Sequence, residues 1–354
     1  MLSVLEIYES LPSWPFLMLF ILYICVAVTG NVAVIIVVAS RKYMRTPANL
    51  YISSLSFADL IIALVVIGNT AKSFSKIYLE YSIYRCVLVP YFEVVAISAS
   101  VLSLMAITVD RYQAVLQKRV SKTPLKFAAK IVGLVWLSAV IYGLRVIPQF
   151  YSKLKISDDT EHQNRSSTNP PSKENNLRDE SSDHNGNTSG IHRWSCDFFM
   201  EEDETDMVFR FFDFLILFVV PFIAMIVMYG RIISTLWRKK IPVGTGLRRK
   251  RRVAKMLLIS VLVFMICWVP FYVQEFVGDG MIMTGKHVDR NVLAAFRIIF
   301  ILVSFANCCL NPVIYAYYNN NFRYELKYMI RQKNKDQRHK HTFQVTPTSS
   351  RNGI

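Results

Sequence analysis

The chain has 354 residues, 53% of them hydrophobic, and its 41 Lys and Arg against 25 Asp and Glu give a net charge of +16. A soluble domain of that length carries more charge and shorter apolar runs, so composition argues against one. The basic excess would suit nucleic acid, but its placement decides otherwise.

A membrane-crossing helix needs ~20 mostly apolar residues, because the hydrocarbon core is ~30 Å thick and a helix rises ~1.5 Å per residue. Seven stretches qualify: Phe16–Ser40, Leu50–Thr70, Val87–Val109, Phe127–Ile147, Val208–Trp237, Val253–Val277 and Val292–Tyr318. They are long and do not alternate with period two, so they read as helices rather than barrel strands. The expected fold is an all-α membrane protein, a seven-transmembrane helix bundle with a short amphipathic helix after the seventh span.

The basic residues cluster in short runs beside the spans: Arg41, Lys42 and Arg45; Lys118, Arg119 and Lys122; Arg238–Lys240; Arg248–Arg252; and 323–340. The segment Lys153–Asp206 instead holds six basic and 13 acidic residues. That alternation puts the N-terminus outside and the C-terminus inside a multi-pass plasma-membrane protein. Membrane lipid is the expected surface, and no nucleic-acid partner is expected. The first 13 residues lack a basic n-region, so no cleaved signal is evident and the first span is expected to serve as its own signal. The expected layout is residues 1–13 outside, 14–318 as the bundle with a long loop at 151–207, 319–332 as the amphipathic helix and 333–354 as a disordered inner tail.

Taken in order, each span carries a polar anomaly. The first holds Gly30-Asn31, and an Asn in hydrocarbon needs an internal hydrogen bond. The second holds Asp59, which wants a cation when charged and a hydrogen bond when neutral. The third begins after Cys86 and runs through Glu93 to Asp110-Arg111-Tyr112. Glu93 and Arg111 are 18 residues apart, which is ~27 Å of helix. One helix therefore carries an acid near its outer end and an Arg at its inner end. The fourth holds Trp136, read as packing and lipid contact.

The following loop is polar, with disorder expected between Ser157 and Gly190. Its sequons, Asn164-Arg165-Ser166 and Asn187-Thr188-Ser189, make Asn164 and Asn187 candidate glycosylation sites. Cys196 in this loop and Cys86 are the two cysteines on the oxidising side, so a disulfide between them is the economical reading, and two free thiols the alternative. The acidic run Glu201–Asp206 reads as a solvated face that also steers basic ligands. Spans five, six and seven carry interior prolines, Pro221, Pro270 and Pro312, each of which removes a backbone hydrogen bond. Phe322, Leu326, Met329 and Ile330 then recur at helical spacing with basic residues between them, as in a helix lying on a membrane surface. The tail has Thr346, Thr348, Ser349 and Ser350 as candidate phosphorylation sites.

In this order, Gly30-Asn31, Asp59, Cys86, Asp110-Arg111-Tyr112, Trp136, Cys196, Pro221, Tyr229, Cys267-Trp268-Val269-Pro270 and Asn311-Pro312-Val313-Ile314-Tyr315 resemble the rhodopsin-like (class A) G-protein-coupled receptors. The resemblance implies a receptor rather than an enzyme, coupled to a heterotrimeric G protein, with arrestin and a receptor kinase as further partners. It implies roles by position. Asp59, Ser100, Asn307 and Asn311 match a buried pocket for an allosteric sodium ion, with no other cofactor expected. Trp268 and Pro270 match the switch beneath the ligand, and Pro221, Val101 and Phe264 the packing cluster that rearranges, although Ile is frequent at Val101. Asp110, Arg111, Tyr112, Tyr229, Asn311, Pro312 and Tyr315 match the coupling and activation set. Lys250 stands where some members have an acid that pairs with the Arg, so that lock is expected to be absent, leaving some basal activity.

For the ligand, Phe305 replaces the retinal-binding Lys, which excludes light sensing. Glu93 stands where amine receptors usually carry Asp. Cys86–Tyr91 and the Val-Leu-Ser-Leu run before Asp110 resemble neuropeptide receptors near the bombesin, endothelin, RFamide and orexin types. A peptide ligand is thus expected, with Glu93, Gln149, Trp268, Glu275 and Arg297 as candidate pocket residues and Arg145 available for a carboxylate. A biogenic-amine or other small-ligand receptor is the alternative. A secondary transporter would also suit Asp59 and broken helices, but no repeat divides the chain into matching halves.

Overall fold

A computed structural model describes residues 13–74, 83–116, 123–148, 204–238, 245–283, 290–329 and 331. Seven helices among them are long and apolar enough to cross a membrane. Their ranges are Ser13–Ser40, Pro47–Phe74, Ile83–Leu116, Leu125–Gly143, a composite fifth span, Thr245–Met283 and Arg290–Tyr318. In hydrocarbon every backbone N–H and C=O must be satisfied within the chain, which is why these apolar runs form helices.

Short polar stretches set the boundaries. The first span stops at Ser40, and a single 3-10 turn, Lys42–Met44, reverses the chain. Pro47 then opens the second span, where its missing N–H costs nothing. Thr46 caps this helix, its Oγ1 accepting from the Asn49 N–H at 3.3 Å. At the far end Asn319 breaks the seventh span and caps the next helix, its Oδ1 accepting from the Phe322 N–H at 3.2 Å. That next helix covers 320–329, the expected position of the amphipathic segment. Its residues Phe322 and Glu325 are buried.

The prolines act differently from one another. Pro270 and Pro312 lie inside helices, as expected, and so does Pro90 in the third span. Pro221 does not. The fifth span is built from Glu204–Asp213, a π-helical segment Phe214–Val219, and Val220–Arg238, so Pro221 sits at a helix start. The interruption of this span is the π segment, whose wider turns re-aim the residues that follow.

The third span is central, packing against the second, fourth, fifth and sixth. The first packs on the second and seventh, and the sixth on the seventh. Two glycines set how closely spans approach. A Cβ on Gly30 would lie 2.9 Å from Pro312 Cβ, so Gly30 lets the first span touch the proline of the seventh. A Cβ on Gly143 would lie 2.6 Å from Val95 Cγ2, so the fourth span needs Gly there to meet the third. Larger groups at such contacts force neighbours apart.

Candidate functional site

Three polar layers are stacked along the bundle. The end carrying Asp110 and Arg111 is called inner, and the end carrying Glu93 outer.

The outer layer is made of charges on the third to sixth spans. Asp213 receives hydrogen bonds from the Tyr142 hydroxyl, in the last turn of the fourth span, and from the guanidinium of Arg145 just after it. Arg210, three residues earlier on the same helix face, reaches Glu275 of the sixth span, Nη1 to Oε2 2.7 Å. Glu93 makes no hydrogen bond or ion pair among the described residues, and lies with Asp213, Arg145 and Tyr142 within electrostatic range of Tyr272. Arg145 and Glu275, read from the sequence as open to a ligand, are thus already engaged by Asp213 and Arg210.

Below these charges runs a column of rings. Phe214 meets Phe276 and Tyr272 at 5.4 and 5.5 Å between centroids. Phe218 is the hub, 4.5 Å from Tyr272, 6.0 Å from Trp268, 5.7 Å from Phe264 and 5.9 Å from Phe222. Phe264 stacks on Trp268 at 6.0 Å. Of the residues expected from the sequence to form the switch and its packing cluster, Val101, Phe264 and Trp268 belong to the main buried core, and Pro221 is buried next to Phe222 in sequence. Phe218 was not singled out from sequence, although Phe214, Phe218 and Phe222 recur every four residues.

The middle layer is named for Asp59, which is fully buried. Asn311 donates to its Oδ2 at 3.0 Å. Asp59 Oδ1, Ser56 Oγ, Ser100 Oγ, Asn311 Oδ1 and both polar atoms of the Asn307 amide are buried without a hydrogen-bond partner among the described residues. Buried polar groups are rarely left so. Nearby, Asn31 Nδ2 donates to the carbonyls of Ala27 and Cys308, each at 2.9 Å, while its Oδ1 is buried without a partner among the described residues. Trp136 does more than pack. Its Nε1 donates to Ser54 at 3.1 Å, and Ser54 bonds Ser103 at 3.0 Å, joining three spans.

The inner layer holds Arg111. Its Nη2 lies 2.7 Å from Asp110 Oδ2, while its buried Nε has no partner among the described residues. Asp110 Oδ1 also accepts from Thr123 at 3.3 Å. Tyr229 and Tyr315 are buried, with Thr108 Oγ1 3.4 Å from the Tyr229 hydroxyl. The Tyr112 hydroxyl accepts from Arg231 at 3.2 Å. Arg251 donates twice to the Leu236 carbonyl, at 3.2 and 2.7 Å, and lies over the Trp237 ring. Beyond the spans, Arg41 Nε bonds Glu325 Oε2 at 2.6 Å, and Tyr43 donates to the other oxygen. The Tyr43 hydroxyl, with Arg41, holds the Glu325 carboxyl below its usual range.

Sequence reasoning missed Arg210, Asp213 and Glu325 as polar partners. All three looked like ordinary charges at span ends, and nothing local marks their targets. Gln149, Cys196, Asn164 and Asn187 lie outside the described residues, as do the side chains of Cys86, Lys250 and Arg297, so the pairing of Cys86 with Cys196 and the absent lock fall outside them too.

Residues 30–315 match the profile described as 7 transmembrane receptor (rhodopsin family). The chain is 29% identical over 328 residues to a QRFP-like peptide receptor of Branchiostoma floridae, covering 89% of this chain and 77% of that one. It is 28% identical over 340 residues to the neuromedin-K receptor of Oryctolagus cuniculus, covering 90% and 62%. It is 26% identical over 316 residues to the RYamide receptor of Tribolium castaneum, covering 84% and 75%.

Proposed function

The chain belongs to the rhodopsin family of seven-transmembrane receptors, and from that premise we propose that it is a plasma-membrane receptor for an extracellular peptide, acting on a heterotrimeric G protein. The outer end faces the extracellular side in this reading, and the inner end the cytoplasm. The observation that carries the peptide assignment is the outer layer of charges, too many and too spread for one small ligand. Relatives named as peptide receptors support the same choice. Glu93 is the first anchor for a ligand cation, because it alone of the outer acids has no partner among the described residues.

Signalling follows from the stacking of the layers. A ligand that binds one arrangement of the bundle better than another shifts its population by that difference in affinity. The ring column under the ligand provides a contiguous packed route from Phe276 to Phe264. At its inner end Arg111, Tyr229 and Tyr315 form the surface offered to the G protein, and Asp110 holds Arg111 in its place. Arrestin and a receptor kinase are further inner partners.

Asp59, Ser100, Asn307 and Asn311 would hold a sodium ion. The orphaned oxygens supply the hard donor set such a cation takes, and the ion would supply the positive charge that a buried carboxylate lacks.

The test is ligand-stimulated nucleotide exchange in a reconstituted receptor and G protein. Arg111→Ala is expected to abolish stimulation with ligand binding retained; stimulation equal to wild type would end this reading. Glu93→Gln is expected to weaken a basic peptide about tenfold or more, the equivalent of ~1.4 kcal/mol, and an unchanged response would remove Glu93 from the pocket.

A further inference from the structure

Arg210 and Asp213 occupy one face of a single helix but serve opposite neighbours. Asp213 is tied to the fourth span by two donors, Arg145 and Tyr142. Arg210 is tied to the sixth through Glu275. The second tie is graded in depth. The Glu275 side chain is 4% exposed and that of Arg210 is 21% exposed, so the acid is the deep partner and the base lies nearer the opening.

That arrangement makes exchange the cheap event. A carboxylate withdrawn from water and left alone is strongly destabilising, whereas a paired one is close to neutral. Replacing one cation on Glu275 by another leaves the number of buried charges unchanged. An incoming guanidinium also reproduces the planar donor geometry of the Arg it displaces.

Resting on the peptide-receptor reading, we propose that Arg210 is an internal stand-in for a cation of the ligand: a ligand guanidinium takes its place on Glu275 and so unties the outer end of the fifth span from the sixth. The consequence is set by what lies next to the tie. Phe211 and Phe214 flank Phe276 at 6.4 and 5.4 Å, and the π-helical segment starts at Phe214, directly after Asp213. Once Arg210 leaves Glu275, the helix keeps its anchor on the fourth span. It can then rotate over a segment whose geometry is already irregular, as π-bulges at functional sites often are. Phe214 and Phe218 pass that rotation to Trp268 and Phe264. Arg210 therefore sets specificity, since only a cationic ligand group can replace it.

The test uses the full-length chain in lipid nanodiscs, with arginine amide as the guanidinium probe and thermal unfolding as the readout. Arg210→Ala is expected to unfold about 3 °C lower than wild type. Millimolar arginine amide is expected to restore that loss saturably, to move wild type much less because there Arg210 competes for Glu275, and to leave Arg210→Ala/Glu275→Gln unmoved. The charge-swapped Arg210→Glu/Glu275→Arg is expected to unfold near wild type, which keeps the test decisive if a single variant does not fold. The proposal is overturned if arginine amide fails to rescue Arg210→Ala, if it stabilises wild type or the double variant equally, or if the charge swap unfolds well below wild type. No step needs a peptide or a G protein. Failure of the receptor reading would instead appear as absent nucleotide exchange with this rescue intact.

Discussion

The outer and middle polar layers are both buried in the same bundle, yet they are solved in opposite ways. In the middle layer several buried polar atoms, donors as well as acceptors, stay without a partner among the described residues. Around Asp213 and Glu275 the chain supplies an Arg for each acid. The contrast shows two routes to a responsive membrane protein. An under-satisfied layer invites a small guest, which adds stability when it binds. The Arg-paired acids Asp213 and Glu275 must be competed open, so a ligand there exchanges one interaction for another and its energy goes into rearrangement, whereas Glu93 of the same layer holds no partner among the described residues.

The largest expected effect breaks the outer layer. Asp213→Ala leaves Arg145 without its carboxylate, and breaking such a pair costs about 3–5 kcal/mol. Thermal unfolding in nanodiscs should show the loss, and Arg145→Met combined with Asp213→Leu should recover most of it, because apolar residues of similar volume can replace a buried pair. If Asp213→Ala alone unfolds like wild type, Arg145 does not depend on Asp213 and the contrast with the middle layer fails.

A smaller effect sharpens the contrast at the middle layer. Raising sodium at constant ionic strength, with choline as the balancing cation, is expected to raise the unfolding temperature by about 1–3 °C, as mass action requires for a guest bound to the folded state. Asp59→Asn is expected to abolish that dependence, and Asp213→Asn to leave it intact. A sodium response equal in Asp59→Asn and wild type would rule out a guest at this layer.

The smallest effect lies outside the spans, where the 320–329 helix is held by Glu325. Its carboxyl is held below the ordinary value of 4.5, first by the Tyr43 hydroxyl and then by Arg41. A lowered folded value means that the contribution is complete above pH 4.5 and is lost as pH falls through the lowered value. A spin label at Arg331→Cys should therefore report a docked helix at neutral pH and a freer one in acid. Glu325→Gln should remove the pH dependence, while the two buried layers stay unaffected.

How much of this was legible in the chain depends on the kind of signal. Asn31, Asp59 and Asn311 stand out individually, since any polar residue in hydrocarbon is conspicuous without knowing its partner. Asp59 and Arg111, at the end of an apolar run, could therefore be singled out from the residues alone, whereas grouping Asp59 with Ser100, Asn307 and Asn311 came from the family resemblance. Arg145 and Glu275 were visible as charges but were assigned to a ligand, because their own partners were not visible. The π-helical segment was hidden as well: Pro221 pointed to an interruption in the fifth span, but not to its form or place.

The sequence by itself determined the seven spans, their charged ends and the residues that do not belong in hydrocarbon, because each follows from the cost of putting one residue type in a ~30 Å apolar slab. Tertiary structure decided which charge meets which. Arg210 and Glu275 are 65 residues apart in sequence, Arg145 and Asp213 are 68 apart, and Arg41 and Glu325 are 284 apart. Burial is a property of one position and leaves its mark in composition. Pairing is a property of two, and becomes definite only when packed helices bring them within hydrogen-bonding distance.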